Sequence, residues 1–296
     1  MNIILSANDN PTYFGFLPVA CDYYKELGHT VHVAYVSKNT NLKVNCDLMV
    51  RLDPVDGYDL GVQAKLARSY LATQLNSKEL YTLMDIDQVL IRVQDIEKVI
   101  EDFKQKYITT LDILGIGSNG YVNTPDAGKW PMYFSTASPR GWQKLLGLKV
   151  SDTFQDLLER YSNVEDPMDG KEQTTNSFPN FSDESLHRYC AKKNNVRVAM
   201  CNSFSPDKGR LWNRIDRDAR YFAPGNPNFG MDFWCQDSLT DAQKEQLQTG
   251  YFLDCFPARP YEKHHGVIDS IIKESLIYNG IYDKVENENS NINISK

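Results

Sequence analysis

Over its first 120 or so residues the chain alternates between short apolar runs and longer stretches with helical periodicity. The apolar runs are NIILSAN, HTVHVAYVS, CDLMVRL, YTLMDID and LDILGIGS. Helical patterns separate most of them, as in GFLPVACDYYKELG, where Gly28 is placed to end the helix. Strands that alternate with helices form βαβ units, whose strands lie parallel in one sheet. We therefore predict an α/β fold with a mixed, mostly parallel central sheet flanked by helices.

The pattern loosens after about residue 125. WPMYFSTAS and VRVAMC are predicted strands, while PRGWQKLLGL, SDTFQDLLERY and SDESLHRYCAKKN are predicted helices, the last with Ser182 as its N-cap. The polar segment VEDPMDGKEQTTNSFPN is predicted to be a loop, and the composition of VENENSNINISK is typical of disorder. With no clear linker, we predict one domain over residues 1–280 and a flexible tail over residues 281–296.

Composition excludes several classes of protein. The 296 residues carry a net charge of −7, so no basic surface for nucleic acid is expected. No apolar segment approaches the roughly 20 residues of a transmembrane helix, and the start of the chain lacks a signal-peptide pattern. We expect a cytoplasmic location. The six cysteines show no CxxC spacing, which argues against a structural zinc site.

Two carboxylates, Asp85 and Asp87, follow the apolar run YTLM and precede VLI. In a parallel sheet, ligands bind beyond the carboxyl ends of the strands, which is where this pair is predicted to lie. Two like charges held close together are unfavourable unless they share a cation. Mn²⁺ and Mg²⁺ prefer oxygen ligands and commonly bridge a carboxylate to phosphates. The apolar flanks disfavour the alternative of two solvated aspartates in a surface loop.

These features together resemble the nucleotide-sugar-dependent glycosyltransferases of the GT-A (Rossmann-like) fold. The likeness covers the leading βαβ half, the basic helix QAKLARSYLAT, the DxD of DID, the element FSDESLHRYC and the closing segment LDCFPARPYEKHHGVIDSII. It implies a nucleotide-binding half over residues 1–120 and an acceptor-binding half over residues 121–280. It also implies a hexosyltransferase-class enzyme of glycan or polysaccharide synthesis, which uses a UDP- or GDP-sugar and an acceptor hydroxyl.

The resemblance assigns roles to individual residues. Asp85 and Asp87 would hold Mn²⁺ or Mg²⁺ against the donor diphosphate. The other residues expected at the donor are Ala7, Asn8, Asp9 and Asn10 near the base, and Lys65, Arg68 and Arg259 near the phosphates. Turn chemistry explains residues 7–10 equally well, and a solvated basic face is the alternative for Lys65 and Arg68.

Asp183 or Glu184, at the start of a predicted helix, is the candidate base that activates the acceptor; a purely helix-stabilising charge is the alternative. Family members often place a histidine metal ligand in the closing segment, where this chain has Asp254 and Cys255. A hard cation favours Asp254. His264 and His265 come later on the predicted last helix. For Arg210, Arg214 and Arg217, pairing with neighbouring aspartates is a simpler expectation than diphosphate binding.

Two other functions remain compatible with the sequence. DIDQVL matches the D-x-D-x-V-L signature of haloacid-dehalogenase-like phosphatases, in which the first aspartate is a nucleophile. That motif normally ends the first strand, whereas three predicted strands come before it here. The other alternative is a non-catalytic module that binds a nucleotide-sugar. The sequence leaves open the base, the sugar, the acceptor and the stereochemical course.

Overall fold

The computed structural model describes residues 1–76, 78–106, 108–116, 134–161, 163–166, 171–174, 183–201, 213–216, 231–250 and 252–282. In chain order its elements are β1 (Asn2–Asn8), α1 (Pro11–Phe14), α2 (Phe16–Glu26), β2 (Thr30–Val36), β3 (Leu48–Leu52), α3 (Leu60–Gln74), β4 (Tyr81–Leu83), β5 (Val89–Leu90), α4 (Val93–Lys106), β6 (Ile113–Ile116), β7 (Ser135–Ala137), α5 (Pro139–Leu146), α6 (Phe154–Arg160), β8 (Asn163–Asp166), β9 (Lys171–Thr174), α7 (Asp183–Lys193), β10 (Val198–Cys201), β11 (Asn213–Arg214), α8 (Met231–Trp234), α9 (Asp241–Leu247), β12 (Phe252–Cys255) and α10 (Tyr261–Tyr278).

The central sheet has seven strands in the order β10-β6-β7-β4-β1-β2-β3. Its pairings are parallel except at β7, which runs antiparallel to both β4 and β6. The predicted α/β architecture with a mixed, mostly parallel sheet is therefore confirmed. The chain leaves β1 towards β2 and β3 on one side and returns to β4 on the other. Ligands bind at such a switch in strand order, beyond the carboxyl ends of the strands.

Alternate residues of β1 build the two layers of the core. Ile3 and Leu5 pack with the buried faces of α2 and α10, whereas Ile4 packs with α3, α5 and α6 on the opposite face. A period of two follows from the pleat of a strand, and a strand buried on both faces reads as the continuous apolar run observed. The helix α2 ends as predicted, since Gly28 adopts a φ of 78° directly after its C-cap.

A second, three-stranded sheet joins the end of the chain to the middle. In it β12 pairs antiparallel with β5 and parallel with β11, so that Asp254 lies opposite Leu90. The two-residue strand β5 directly follows the aspartate pair. This pairing brings the closing segment of the chain to the same edge of the molecule as the carboxyl ends of β1 and β4.

One predicted loop is wrong in part. Within VEDPMDGKEQTTNSFPN, residues 164–166 and 171–174 belong to the antiparallel hairpin of β8 and β9. Pairing between the two strands satisfies backbone N–H and C=O groups that a polar loop would leave to bond with water. Ser182, the predicted N-cap, and residues 283–296 of the predicted tail lie outside the described residues. Within the described part of the chain, every helix is too short or too polar to cross a bilayer.

Candidate active site

A cleft of about 630 Å³ opens at the carboxyl ends of β1 and β4. Its lining comes from the loop after β1, the first half of α3, the turn after β4 and one residue of the closing segment. The lining residues are Ser6, Ala7, Asn8, Asp9, Asn10, Tyr13, Asp59, Leu60, Gly61, Ala64, Lys65, Arg68, Asp85, Ile86, Asp87 and Arg259. Nine of the residues predicted from the sequence as donor or metal ligands are therefore brought together in one place.

The loop after β1 is organised by its own polar side chains. Asn8 donates to the Leu60 carbonyl at 2.9 Å and accepts from the Asn10 amide at 3.0 Å. Asn10 in turn caps α1 by accepting from the Thr12 amide. The carboxylate of Asp9 accepts hydrogen bonds from the hydroxyls of Tyr35 and Ser37. The turn chemistry expected for this loop is present, and it holds the loop open along the wall of the cleft.

The helix α3 turns one polar face towards the cleft. Gly61, Ala64, Lys65 and Arg68 recur at the three- and four-residue spacing of a helix face, and all of them line the cleft. The opposite face, formed by Val62, Leu66, Ala67 and Leu71, is buried in the core. Asp59 caps the helix through hydrogen bonds from the amides of residues 61 and 62. Small residues at 61 and 64 leave the space that the cleft occupies.

The two predicted metal ligands lie in the turn between β4 and β5. The strand β4 ends at Leu83, and the Gln88 amide donates to the Asp85 carbonyl at 3.2 Å to close the turn. Behind it, the buried Tyr24 hydroxyl donates to the Gln88 carbonyl at 2.8 Å. The aspartates are thus displayed by a supported turn instead of by the strand itself, and both side chains reach the cleft.

Each aspartate forms an ion pair with an arginine. Arg68 of α3 pairs with Asp85, whose side chain is 32% exposed, and Arg259 of the closing segment pairs with Asp87, whose side chain is 5% exposed. The guanidinium of Arg259 also lies over the ring of Tyr13, 4.5 Å from its centroid. Arg68 is buried, so the alternative of a solvated basic face does not hold for this residue.

The environment of Asp87 changes the pKa of its carboxyl. Burial raises the pKa of the Asp87 carboxyl, and the neighbouring charge of Asp85 adds to the increase, while Arg259 opposes it. The net direction is upward. The effect of Asp85 on this pKa means that the two carboxylates interact electrostatically across the turn, which is the condition under which a shared cation stabilises both.

Asp254, predicted as a third metal ligand, does not line the cleft. It is fully buried on β12, and its carboxylate accepts a hydrogen bond from the Gln88 side chain at 2.8 Å. Its neighbour Cys255 is also buried, and desolvation, with nearby Asp216 and Asp254, raises the pKa of that thiol well above its usual value. A protonated thiol is a poor metal ligand.

Three other candidates in the second half of the chain, His264, His265 and Arg214, do not line the cleft. His264 is buried with Nδ1 3.0 Å from the Trp234 carbonyl oxygen, and His265 is exposed on α10. Arg214 pairs with Asp216 at 2.7 Å, as the simpler expectation had it, and stacks on Phe256. Arg210 and Arg217 lie outside the described residues.

Asp183 and Glu184 form the first turn of α7, and their side chains lie outside the described part of the structure. One turn further along α7, His187 Nε2 lies 3.2 Å from the hydroxyl of Ser69 on α3. Ser69 directly follows Arg68, so the beginning of α7 lies next to the helix that forms one wall of the cleft. The catalytic role of either carboxylate stays a prediction.

The donor set fits a cation that is completed by phosphate oxygens. Asp85 and Asp87 present hard carboxylate oxygens to a cleft, and Mg²⁺ is typically held by one or two carboxylates together with substrate phosphates. Within the described residues, no group of three or more His, Cys, Asp or Glu side chains could hold a metal ion. The pair therefore fits a site shared with a ligand, and these residues do not form a closed, all-protein site.

Several residues of the cleft were not anticipated from the sequence. Tyr13, Leu60 and Ile86 add apolar surface beside the polar groups, and Leu60 is 48% exposed. Exposure of a large apolar side chain at the mouth of a cleft is a usual feature of ligand pockets. Tyr13 lies in α1 directly after β1, Leu60 begins α3, and Ile86 lies in the turn after β4. Their position near the carboxyl ends of predicted strands was the available signal, because these ends lie at one edge of the sheet.

No protein-family model and no curated protein matches this sequence. Among solved structures, an active-site mutant of LgtC is 14% identical with a TM-score of 0.48, and the galactosyltransferase LgtC in complex with donor and acceptor sugar analogues is 13% identical with a TM-score of 0.45. Both alignments cover 97% of this chain and 98% of the other. A mutant of Drosophila beta-1,4-galactosyltransferase 7 with manganese, UDP-Gal and xylobiose is 10% identical, covers 71% of this chain and 68% of its own, and has a TM-score of 0.33.

Proposed function

We propose that this chain is a GT-A-fold glycosyltransferase of the hexosyltransferase class. It takes a sugar from a nucleotide-diphospho-sugar, with uridine or guanosine as the base, and transfers it to an acceptor hydroxyl in glycan or polysaccharide synthesis. The observation that carries the proposal is the convergence of Asp85, Asp87, Lys65, Arg68 and Arg259 on one cleft at the switch in strand order. Carboxylates for a cation and cations for phosphates are the groups that a metal-bound diphosphate requires.

The shape and lining of the cleft support a nucleotide as the ligand. Its 630 Å³ lies within the usual size of small-molecule sites. Polar groups of residues 8–10 and the apolar side chains of Tyr13 and Leu60 can hold a nucleoside on the side of β1, while the charged residues hold the diphosphate on the side of β4. The division into nucleotide-binding and acceptor-binding halves belongs to the same proposal.

Bond breaking in such a transfer builds negative charge on the departing diphosphate. Asp85 and Asp87 would hold Mn²⁺ or Mg²⁺, which would supply a Lewis acid to stabilise this charge. Arg68, Arg259 and Lys65 add donors whose charge acts in the same direction, and guanidinium groups match phosphate oxygens in geometry. Asp183 or Glu184 accepts the proton of the acceptor hydroxyl as the new glycosidic bond forms.

Calorimetry with UDP and GDP in the presence of Mn²⁺ tests the donor site. Asp85→Asn and Asp87→Asn should each weaken nucleotide binding by about 100-fold, because each removes a charged metal ligand. Asp53→Asn is the matched control, since Asp53 is 75% exposed in a pair with Arg51 and does not line the cleft. Unchanged binding in both cleft variants would overturn the proposal.

Transfer assays with the bound donor test the base. Either Asp183→Asn or Glu184→Gln should lower the transfer rate by about 100- to 10,000-fold, the usual contribution of a general base, and each variant is the control for the other.

Activity assays also separate the two alternative functions. Phosphate release from a phosphomonoester with Mg²⁺ would indicate a phosphatase, and nucleotide binding without any hydrolysis or transfer would indicate a binding module.

A further inference from the structure

The charges of the aspartate pair are already balanced within the protein. Arg68 pairs with Asp85 and Arg259 pairs with Asp87, so two guanidinium charges offset two carboxylate charges. One side chain of each pair is buried, since Arg68 and Asp87 are each about 5% exposed. Asp85 is partly buried, with 32% of its side chain exposed. Contacts this deep are weakly screened by solvent.

While both carboxylates are paired with guanidinium groups, the binding of a free dication at this site is unfavourable. To reach the carboxylate oxygens it must displace guanidinium groups, which then remain close to it as like charges. With the dication added, the two arginines, the two aspartates and the ion together carry two net positive charges. The diphosphate of a nucleotide-sugar carries two negative charges, one on each phosphate, and therefore restores the balance.

We propose that Arg68 and Arg259 bar the aspartate pair to a free dication, and that the dication and the diphosphate bind as one cooperative unit. On binding, the carboxylates exchange their guanidinium partners for the cation, and the guanidiniums turn to the phosphate oxygens. No covalent bond changes in this exchange. The inference rests on the proposed function, because it names how the same site is controlled.

The placement of the two arginines supports such an exchange. Both line the same cleft as the aspartates, so each can leave a carboxylate without leaving the site. Arg259 retains a second contact, the ring of Tyr13, which holds its guanidinium at the cleft when Asp87 is released.

The binding of Mn²⁺ alone, followed by calorimetry and by the electron paramagnetic resonance of the free ion, tests the inference. In the unmodified chain, saturating UDP or GDP should raise the affinity for Mn²⁺ by at least ~10-fold, within the range usual for coupled sites. Arg259→Gln and Arg68→Gln should each raise the affinity for Mn²⁺ in the absence of nucleotide by about 10-fold. The same variants should bind nucleotide more weakly when Mn²⁺ is present.

Arg51→Gln is the matched control, because it removes an arginine from an exposed pair outside the cleft, and its Mn²⁺ affinity should not change. If Arg259→Gln fails to fold, Arg68→Gln decides, since its partner Asp85 is partly exposed to water. Mn²⁺ binding that is absent throughout, independent of nucleotide, or unchanged or weakened in the arginine variants overturns the inference.

Failure of the proposed function gives a different result. If no nucleotide binds to any variant, the glycosyltransferase proposal fails. The Mn²⁺ measurements without nucleotide then still decide whether the arginines compete with a cation: stronger binding in Arg68→Gln supports that competition, and equal binding contradicts it.

Discussion

The two walls of the cleft are built in different ways. On one wall, Arg68 and Asp85 are 17 residues apart. Arg68 belongs to α3, and Asp85 belongs to the turn after the next strand, β4. On the other, Arg259 and Asp87 are 172 residues apart, and their pairing depends on the closing segment of the chain. The local pair has a partly exposed carboxylate, and the long-range pair has a buried one.

The wall that carries Arg68 and Asp85 is the more self-contained of the two. The unit from β1 to β4 positions the polar face of α3 and the start of the aspartate turn through its parallel strand pairings. The closing segment reaches the same edge only because β12 pairs with β5, directly after the aspartates. Gln88 reinforces that junction by donating to Asp254, so the turn is held from behind by residues that do not line the cleft.

Replacing the arginine of each pair should lower the free energy of unfolding by clearly different amounts. Arg259→Gln should lower the free energy of unfolding by about 3 kcal/mol, because it leaves the buried Asp87 charge without its partner. Arg68→Gln should cost only about 1 kcal/mol, since Asp85 can be hydrated in its place. Urea unfolding of both variants in metal-free buffer measures the difference.

Arg51→Gln again serves as the control, with an expected change of less than about 0.5 kcal/mol for an exposed pair. Equal losses for Arg259→Gln and Arg68→Gln would mean that burial of the carboxylate does not distinguish the two walls.

A smaller effect tests the junction behind the turn. Gln88→Met keeps the volume of the side chain but removes the donor to the fully buried Asp254. The expected cost is about 2 kcal/mol, the usual contribution of a hydrogen bond to a charged group. Nucleotide affinity should fall with it, because the turn that displays Asp85 and Asp87 loses its support.

Gln105→Met is the comparison variant, since Gln105 is exposed on α4 and donates a hydrogen bond to Glu101 one turn earlier. If Gln88→Met changes stability but leaves nucleotide affinity unaltered, the junction supports the fold without positioning the aspartates.

The sequence predicted the self-contained wall well and the other wall poorly. Alternating apolar and helical patterns located β1, α3 and β4, and the rule for parallel sheets placed the ends of β1 and β4 at one edge. Periodicity also placed Lys65 and Arg68 on one face of α3. These features depend on neighbours in the sequence, which a pattern can report.

The missed features depend on partners far away in the chain. The strand β5 has only two residues and gains its identity from β12, so no local pattern marks it. Asp254 was predicted to bind metal from its place in the closing segment and from the preference of a hard cation for oxygen, but its side chain is buried in contact with Gln88. The β8–β9 hairpin was predicted as a loop because its residues are polar, and its strands are defined by pairing with each other.

The smallest expected effect lies in the pH dependence of stability, where two aspartates should have opposite signs. Burial raises the pKa of the folded Asp87 carboxyl, so the folded protein holds that proton more tightly than the unfolded chain, and stability from this group falls as pH rises from about 4. For Asp112, burial is outweighed by hydrogen bonds from Arg197 and Lys144, which lower its pKa to about 2. Its contribution is present above pH 4 and is lost as pH falls towards 2.

Urea unfolding between pH 2 and pH 7 resolves the two signs in the variants Asp87→Asn and Asp112→Asn. The stability of the unmodified chain relative to Asp87→Asn should decrease with rising pH, while its stability relative to Asp112→Asn should increase between pH 2 and about pH 4. Asp112, directly before β6, pairs with Lys144 of α5 and with Arg197, which are both more than a third exposed, so its effect should stay below about 1 kcal/mol. Parallel curves for the two variants would contradict the assigned sign, because they would mean that the folded protein lowers the pKa of Asp87 as well and that its arginine partner more than offsets its burial.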